Sequence, residues 1–203
     1  MLKDFYRNTK KPRSDFGGRL IIKIMNKGHK KMADWARSNF QINADDTGLD
    51  IGCGGGQNLK DQIKLCKKMY GIDYSNQSVE FSIKHNKKDV DENKIEITRA
   101  DVSKIPFEDE KFDFVTAYET IYFWPDLEND FKEVFRVLKP GGRFMIANEL
   151  KNPEAGKKWI DMIGFDILMP DKIKELLISA GFASVDIIEH ENGDWILFYG
   201  VKQ

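Results

Sequence analysis

The sequence predicts an α/β fold, a doubly wound sheet of seven strands that is mostly parallel and ends in an antiparallel hairpin, with a lid helix ahead of it. Three observations carry this expectation. From residue 45 onward, short apolar runs of strand length alternate with longer amphipathic stretches, the rhythm of βαβ units. The first of these runs feeds Gly52-Cys53-Gly54-Gly55-Gly56, a strand-to-helix turn made almost wholly of glycine. Near the end, two β-like runs flank Glu191-Asn192-Gly193-Asp194, whose Asn-Gly pair favours a hairpin turn.

The elements follow in order. The first sixteen residues mix five Lys or Arg with one Pro and end at Gly17-Gly18, which reads as an irregular arm. From Arg19 to Asn39, Ile21, Met25, Gly28, Met32 and Trp35 fall at alternating steps of four and three, the stripe of an amphipathic helix. Leu49-Asp50-Ile51 is the first core strand, and the glycine turn passes into a helix from Gln57 to about Lys67. Met69 to Asp73 is the second strand; Ser75 then caps a helix to about Lys88, with Val79 and Ile83 as its apolar i, i+4 pair. Ile95 to Thr98 leads to Ala100-Asp101-Val102, and Phe112 to Ala117 follows the acidic turn Glu108-Asp109-Glu110. A helix from about Leu127 to Leu138 is stopped by Lys139-Pro140-Gly141-Gly142, ahead of a fifth strand, Phe144 to Ala147. Pro170 to Ala180 is a helix ended by Gly181, and the hairpin runs are Val185 to His190 and Trp195 to Val201. This divides the chain into an arm and lid helix, 1–44, and one domain, 45–203.

Composition narrows the function classes. With 203 residues the chain can bury a full core. Thirty-two basic against thirty-three acidic residues leave a formal charge of -1, so no global basic field argues for nucleic acid. The longest apolar run, Trp195 to Tyr199, is far below the roughly 18 residues of a spanning helix, and Met1-Leu2-Lys3-Asp4-Phe5 lacks a signal peptide's apolar segment. A cytoplasmic protein with no membrane partner is expected. The two cysteines, Cys53 and Cys66, lack zinc-site spacing and read as reduced thiols. His29, His85 and His190 are scattered, so a metal site would have to be assembled from distant elements; none is expected.

In an open parallel sheet the ligand sits at the carboxyl ends of the strands, where the strand order reverses, so Gly52 to Gly56 should touch it. A dinucleotide fingerprint fails here, because the sixth position counted from Gly52 is Gln57, and no Gly-Lys pair makes a phosphate loop. What stands is a G-x-G-x-G turn preceded by Asp50. That turn resembles the class I S-adenosylmethionine-dependent methyltransferases, and further segments agree in order: Gly71-Ile72-Asp73, Ala100-Asp101-Val102, Phe112-Asp113-Phe114-Val115 to Pro125-Asp126, and Phe135 to Gly142. The resemblance covers roughly residues 45 to 203 and implies a Rossmann-like fold that binds S-adenosyl-L-methionine. It also implies that Gly52, Cys53, Gly54 and Gly56 receive the cofactor. Asp73 would hold both ribose hydroxyls, and Asp101 with the Val102 amide would read the adenine edge. Asp50 is placed to face the methionyl amine, directly or through water, and Tyr74 to lie against the adenine. Alternatives stand beside these roles: Asp50 and Asp73 as strand-end acids, Asp101 as a turn cap, Cys53 as a small residue whose backbone matters.

Methyl transfer from a sulfonium is an in-line displacement in which alignment and water exclusion supply much of the catalysis. Side chains after the fourth strand adjoin the glycine turn, and among them Glu119 is the natural base. Tyr118, also expected at the cofactor, and Tyr122 can orient an acceptor or line an aromatic wall, or Tyr122, Phe123 and Trp124 can simply pack the core. His29, at the edge of the lid helix's stripe, can meet the cofactor carboxylate or the acceptor, or lie solvated beside Lys27, Lys30 and Lys31; Tyr6 and Arg7 are weaker candidates. The expected acceptor is a small molecule. The alternatives are RNA or protein, met by a basic rim of Lys10, Lys11, Arg13, Lys27, Lys30 and Lys31, or a non-catalytic cofactor-binding module.

Overall fold

The computed structural model describes residues 28–203. Tyr6, Arg7, the basic residues from Lys10 to Lys27 and the first half of the expected lid helix lie outside the described residues. Helix α1 (Lys30–Ser38) precedes strands β1 (Thr47–Ile51), β2 (Lys68–Asp73), β3 (Ile95–Arg99), β4 (Phe112–Tyr118), β5 (Leu138–Asn148), β6 (Ser184–Glu189) and β7 (Ile196–Val201). Between them run α2 (Gln57–Gln62), α3 (Asn76–His85), α4 (Lys87–Asp91), α5 (Leu127–Val137), α6 (Pro153–Ile163) and α7 (Pro170–Ser179), with 3-10 turns at Val102–Lys104 and Ile121–Phe123. The seven strands form one sheet in the order β3-β2-β1-β4-β5-β7-β6. Strands β1 to β5 pair in parallel, and β7 runs antiparallel to both β5 and β6. The expected fold class is the one observed, and the order reverses between β1 and β4. Among the described residues no helix is long and apolar enough to cross a membrane.

Two apolar layers sandwich the sheet. On one face Leu49, Ile51, Ile72, Val115 and Phe144 pack against Phe131 of α5 and Ile173 and Leu177 of α7. On the other, Met69, Phe114, Met145 and Leu197 meet Met32, Ala33 and Ala36 of α1 and Leu59 of α2. Phe112 and Phe114 would share a face of a regular strand, yet they belong to opposite layers. The irregularity between them accounts for this: β5 advances from Leu138 to Arg143 while β4 advances only from Phe112 to Phe114.

That bulge explains one departure from expectation. The Lys139-Pro140-Gly141-Gly142 segment does end α5, but the chain re-enters the sheet at Leu138, with Gly141 N donating to Lys202 O at 2.7 Å. A second departure is α2, which stops at Gln62 so that Lys67 N can donate to Asp46 O at 3.0 Å and turn the chain into β2. In α3, Ser75 caps the helix as expected, accepting from Ser78 N, but the buried face is Ser78 and Ser82 and not the pair Val79 and Ile83; Ile83 is 37% exposed. Small side chains are needed there because α3 presses on the glycine turn. Helix α6 was not anticipated at all.

Candidate functional site

The glycine turn is tied across the sheet by its backbone: Gly52 N and Cys53 N both donate to Ile72 O, at 2.8 and 3.0 Å. This leaves the end of β1 open toward a cavity of about 300 Å³ at the β1/β4 reversal, where an open α/β sheet holds its ligand. Its floor is Gly52 to Gly55, with Ile72 and Asp73 from the end of β2. One wall carries Tyr74, Ala100, Asp101 and Val102; the opposite wall is α1 and α2, through His29, Ala33, Arg37, Asn58 and Asp61. The last residue of β4, Tyr118, and the segment after it, with Glu119, Thr120, Phe123, Trp124 and Pro125, cover it.

Two glycines of the turn do different work. Gly52 has φ +71°, and a Cβ there would stand 2.4 Å from Thr120 Cγ2, so glycine lets the segment after β4 close over the turn. Gly56 also has positive φ, +74°, but it does not line the cavity; a Cβ there would meet Ser82 Oγ at 2.1 Å and Asn86 Nδ2 at 2.4 Å. Gly56, expected at the cofactor, is placed instead as the contact that lets α3 dock on the turn.

Asp73 is buried at the cavity floor, and each of its carboxylate oxygens accepts one backbone N–H, Oδ2 from Gly54 at 3.0 Å and Oδ1 from Ser75 at 2.9 Å. Burial raises its pKa, and these two donors together with the Ser78 side chain oppose the rise. A carboxylate oxygen has room for a second donor, so a diol can still be accepted by the pair. Tyr74 lines the wall with its hydroxyl buried and unpartnered. Asp101 lines the cavity while accepting from Ser103 N at 3.1 Å, so it is a turn cap and a cavity residue at once. Val102 is buried on the same wall. Cys53 is buried, and burial pushes its thiol pKa well up, which makes it inert and leaves the backbone reading.

Asp50 stands differently. Only 1% exposed, it is not among the residues lining the cavity and stands behind its wall. Its Oδ1 accepts from Thr116 Oγ1 at 2.7 Å, Gln62 Nε2 donates to the same hydroxyl oxygen at 3.2 Å, and Gln62 Nε2 also reaches Tyr118 Oη at 3.3 Å. Burial raises the Asp50 pKa to about 7, against the opposing Thr116 hydrogen bond and Arg37 charge. Tyr118 is thus a cavity wall residue braced from behind by a buried polar chain.

At the far end, Glu119 has φ +59°, a left-handed backbone that is costly for a residue with a Cβ and that recurs at functional sites. Its Oε1 accepts from Glu149 N. Burial raises its pKa to about 7; His29 lowers it, Glu149 raises it, and the Glu149 N–H lowers it. His29 Nδ1 is 3.2 Å from Glu149 Oε2. Burial alone would lower the His29 pKa, but Glu149 and Glu119 together outweigh it and the net shift is upward. The three side chains form one cluster.

Tyr122, expected beside Glu119, is placed elsewhere. It does not line this cavity; its hydroxyl donates to Leu150 O at 3.1 Å and its ring packs on Phe165 at 5.2 Å. The 3-10 turn Ile121–Phe123 rotates it away, so the core-packing alternative holds for Tyr122, while Phe123 and Trp124 face the cavity. Sequence reading missed Glu149, Arg37 and Asn58. Glu149 had a signal, since it directly follows the fifth strand, at the carboxyl end beside β4. Arg37 and Asn58, which meet at 3.2 Å, sit on helix faces that only the docking of α1 on α2 brings together.

A family profile described as a methyltransferase domain matches residues 49–146. The demethylmenaquinone methyltransferase of Lactococcus lactis is 30% identical over an alignment that covers 78% of this chain and 75% of that protein. Among solved structures, the methyltransferase in the complex with the Haloferax volcanii Trm112 methyltransferase activator superposes with a TM-score of 0.78 at 20% identity, over 89% of this chain and 92% of that one. The Haemonchus contortus phosphoethanolamine N-methyltransferase 2, solved with phosphomonomethylethanolamine and S-adenosylhomocysteine, gives 0.73 at 18%, over 85% of this chain and 52% of that one. With the strand order, the glycine turn and the acid at the end of β2 already in place, these similarities close the argument: the chain belongs to the class I S-adenosylmethionine-dependent methyltransferases and is an enzyme of that family.

Proposed function

We propose that the enzyme moves a methyl group from S-adenosylmethionine to a small-molecule acceptor bound beneath α1 and the segment after β4. The observation that carries this reading is the polarity of the cavity along its length. At one end the Asp73 carboxylate, held by the Gly54 and Ser75 N–H groups, stands beside Tyr74, Ala100 and Val102, which suits a ribose diol and the adenine it bears. Asp101 on the same wall suits the adenine amino group. Gly52, Cys53 and Gly54 bring backbone close to the centre of the cavity, and Arg37 on the opposite wall offers a cation to a carboxylate. The other end holds Glu119 and His29 under the rings of Phe123 and Trp124.

The bound cofactor supplies an electrophilic methyl on a sulfonium whose thioether leaves readily. The residues of this chain align the acceptor and exclude water, and Glu119, with its pKa raised to about 7, takes a proton from an acceptor hydroxyl near neutrality. A small acceptor is supported by walls on both sides of this end, and by the demethylmenaquinone methyltransferase relative.

The test is a coupled assay of S-adenosylhomocysteine release over a panel of quinols, phenols, amines and sterols, with total RNA and a protein lysate in parallel. Turnover with a member of the small-molecule panel is expected. Release driven only by RNA or by protein would overturn the small-acceptor reading.

A further inference from the structure

We propose that Asp130 and Ser103 are positioning residues for adenine recognition: through them α5 fixes Asp101 and the adjoining Val102 amide where they read the adenine edge. The inference rests on the reading of this cavity as the S-adenosylmethionine site.

The hydrogen bonds run in a chain outward from the cavity. Asp101 lines the wall, and its Oδ1 accepts from Ser103 N at 3.1 Å. The Ser103 hydroxyl donates to Asp130 Oδ1 at 2.7 Å, and Asp130 Oδ2 accepts from Asp126 N at 3.0 Å. Asp126 directly follows Pro125, the last residue of the cavity's cover. One carboxylate of α5 thus holds two rims of the cavity together, the loop after β3 and the segment after β4. Neither Asp130 nor Ser103 lines the cavity, so each acts on a ligand only through the residues beside it.

A helix cap alone does not account for Asp130. Accepting the Asp126 N–H is what an acid in the first turn of α5 does for its helix, but that occupies one oxygen and needs no burial. Asp130 is fully buried, and its other oxygen reaches across to a different element. Burial raises its pKa; the Ser103 hydroxyl and the Asp126 N–H oppose the rise, and the charges of Asp101 and Asp126 add to it. An acid buried beside two others costs stability that a well-packed apolar side chain would not. Helix α5 also grips the loop further on, where Glu133 Oε2 accepts from Ile105 N at 3.1 Å and Arg136 Nη2 donates to Ile105 O at 3.0 Å. The loop is therefore held without Asp130, and what Asp130 adds is a hold on the residue beside Val102. An adenine edge offers an amino donor to a carboxylate and a ring-nitrogen acceptor to an amide, so its recognition depends on the spacing of Asp101 and the Val102 backbone, which the Ser103 anchor sets.

Calorimetric affinities of the full chain for S-adenosylhomocysteine and for S-inosylhomocysteine test this. The inosyl analogue carries a carbonyl in place of the amino group and a proton on the neighbouring ring nitrogen, so both contacts are mismatched. The unsubstituted protein should prefer the adenosyl ligand by about tenfold or more. That preference should shrink by about threefold or more in Ser103→Ala and in Asp130→Asn, whose single oxygen cannot serve both donors, and should be kept in Ser103→Thr, which retains the hydroxyl. Both ligands meet the same folded protein, so a loss of stability alone weakens them alike and leaves their ratio unchanged. A ratio unchanged in Ser103→Ala, or equal affinities in the unsubstituted protein, overturns the proposal; should Asp130→Asn not fold, Ser103→Ala decides. Failure of S-adenosylhomocysteine itself to bind the unsubstituted protein is a separate result, which overturns the reading of the cavity on which the proposal rests.

Discussion

Asp73 shows how one side chain can serve both fold and ligand. Its oxygens hold the Gly54 and Ser75 N–H groups, so removing the carboxylate frees the glycine turn as well as the site. Asp73→Asn keeps one accepting oxygen and should weaken S-adenosylhomocysteine binding by about 1–3 kcal/mol in a calorimetric titration, and Asp73→Ala should cost folding stability in addition. Unchanged affinity in the Asn variant would remove Asp73 from the site. Asp50 tests burial instead. Its folded pKa of about 7 lies above the unfolded value near 3.8, so between those pH values the folded state holds a proton that the unfolded state has released. Stability therefore falls as pH rises through that window and is lowest above pH 7. Asp50→Asn keeps an acceptor for Thr116 and should raise stability at about pH 8 by on the order of 2–4 kcal/mol, with no gain below about pH 4. Urea unfolding of both proteins at the two ends of the window measures it; an equal gain at both would show that the charge is not the cause.

At the scale of elements, what could be read in the sequence depended on whether the signal was local. The strands from Leu49 to Ala147 were legible because buried parallel strands are short apolar runs bounded by turns. The glycine turn and Asp73 were legible because close backbone approach demands glycine and a strand end demands little else. Helix α6 had a local signal that was passed over: Asn152 caps it, accepting from Ala155 N at 2.9 Å, and Pro153 occupies its first turn. The buried face of α3 was not legible, since Val79 and Ile83 outrank serine in apolarity and only contact with Gly56 reverses the order. Gly56→Ala should accordingly destabilise by about 2–4 kcal/mol, combining left-handed strain with overlap against Ser82 and Asn86. Thermal unfolding checks this, and a loss under about 0.5 kcal/mol would mean that α3 can move aside. The docking of α1 also lay beyond sequence reading. Trp35 meets the rings of His190 and Trp195, at 5.2 and 6.1 Å, and so ties α1 to the tip of the β6–β7 hairpin. Trp35→Ala should cost about 2–4 kcal/mol, and hydrogen exchange of Lys30–Ser38 should quicken before that of the central strands.

Over the whole molecule, the cavity is where three separately stabilised parts meet: α1 held by its buried Met32 and Ala36, the glycine turn held by β2, and the segment after β4 held by Thr120 over Gly52. Glu119 and Glu149 were hard to connect from sequence because thirty residues separate them, and only the parallel pairing of β4 with β5 sets their strand ends side by side. A ligand that spans these parts is bound by the folded arrangement and not by the unfolded chain, so it must stabilise the fold by mass action. At a concentration about one hundred times its Kd, S-adenosylhomocysteine should contribute about 2.7 kcal/mol, raising Tm by roughly 5–10 °C for a chain of this size. NADH should raise it little, because a dinucleotide needs a third glycine where Gln57 stands. Scanning calorimetry with each ligand separates the cases, and a rise with NADH alone would overturn the assignment of the cavity to S-adenosylmethionine. The same scan on Asp73→Asn links scales: if the Tm increment shrinks in proportion to the calorimetric loss of affinity, the stabilisation comes from this cavity.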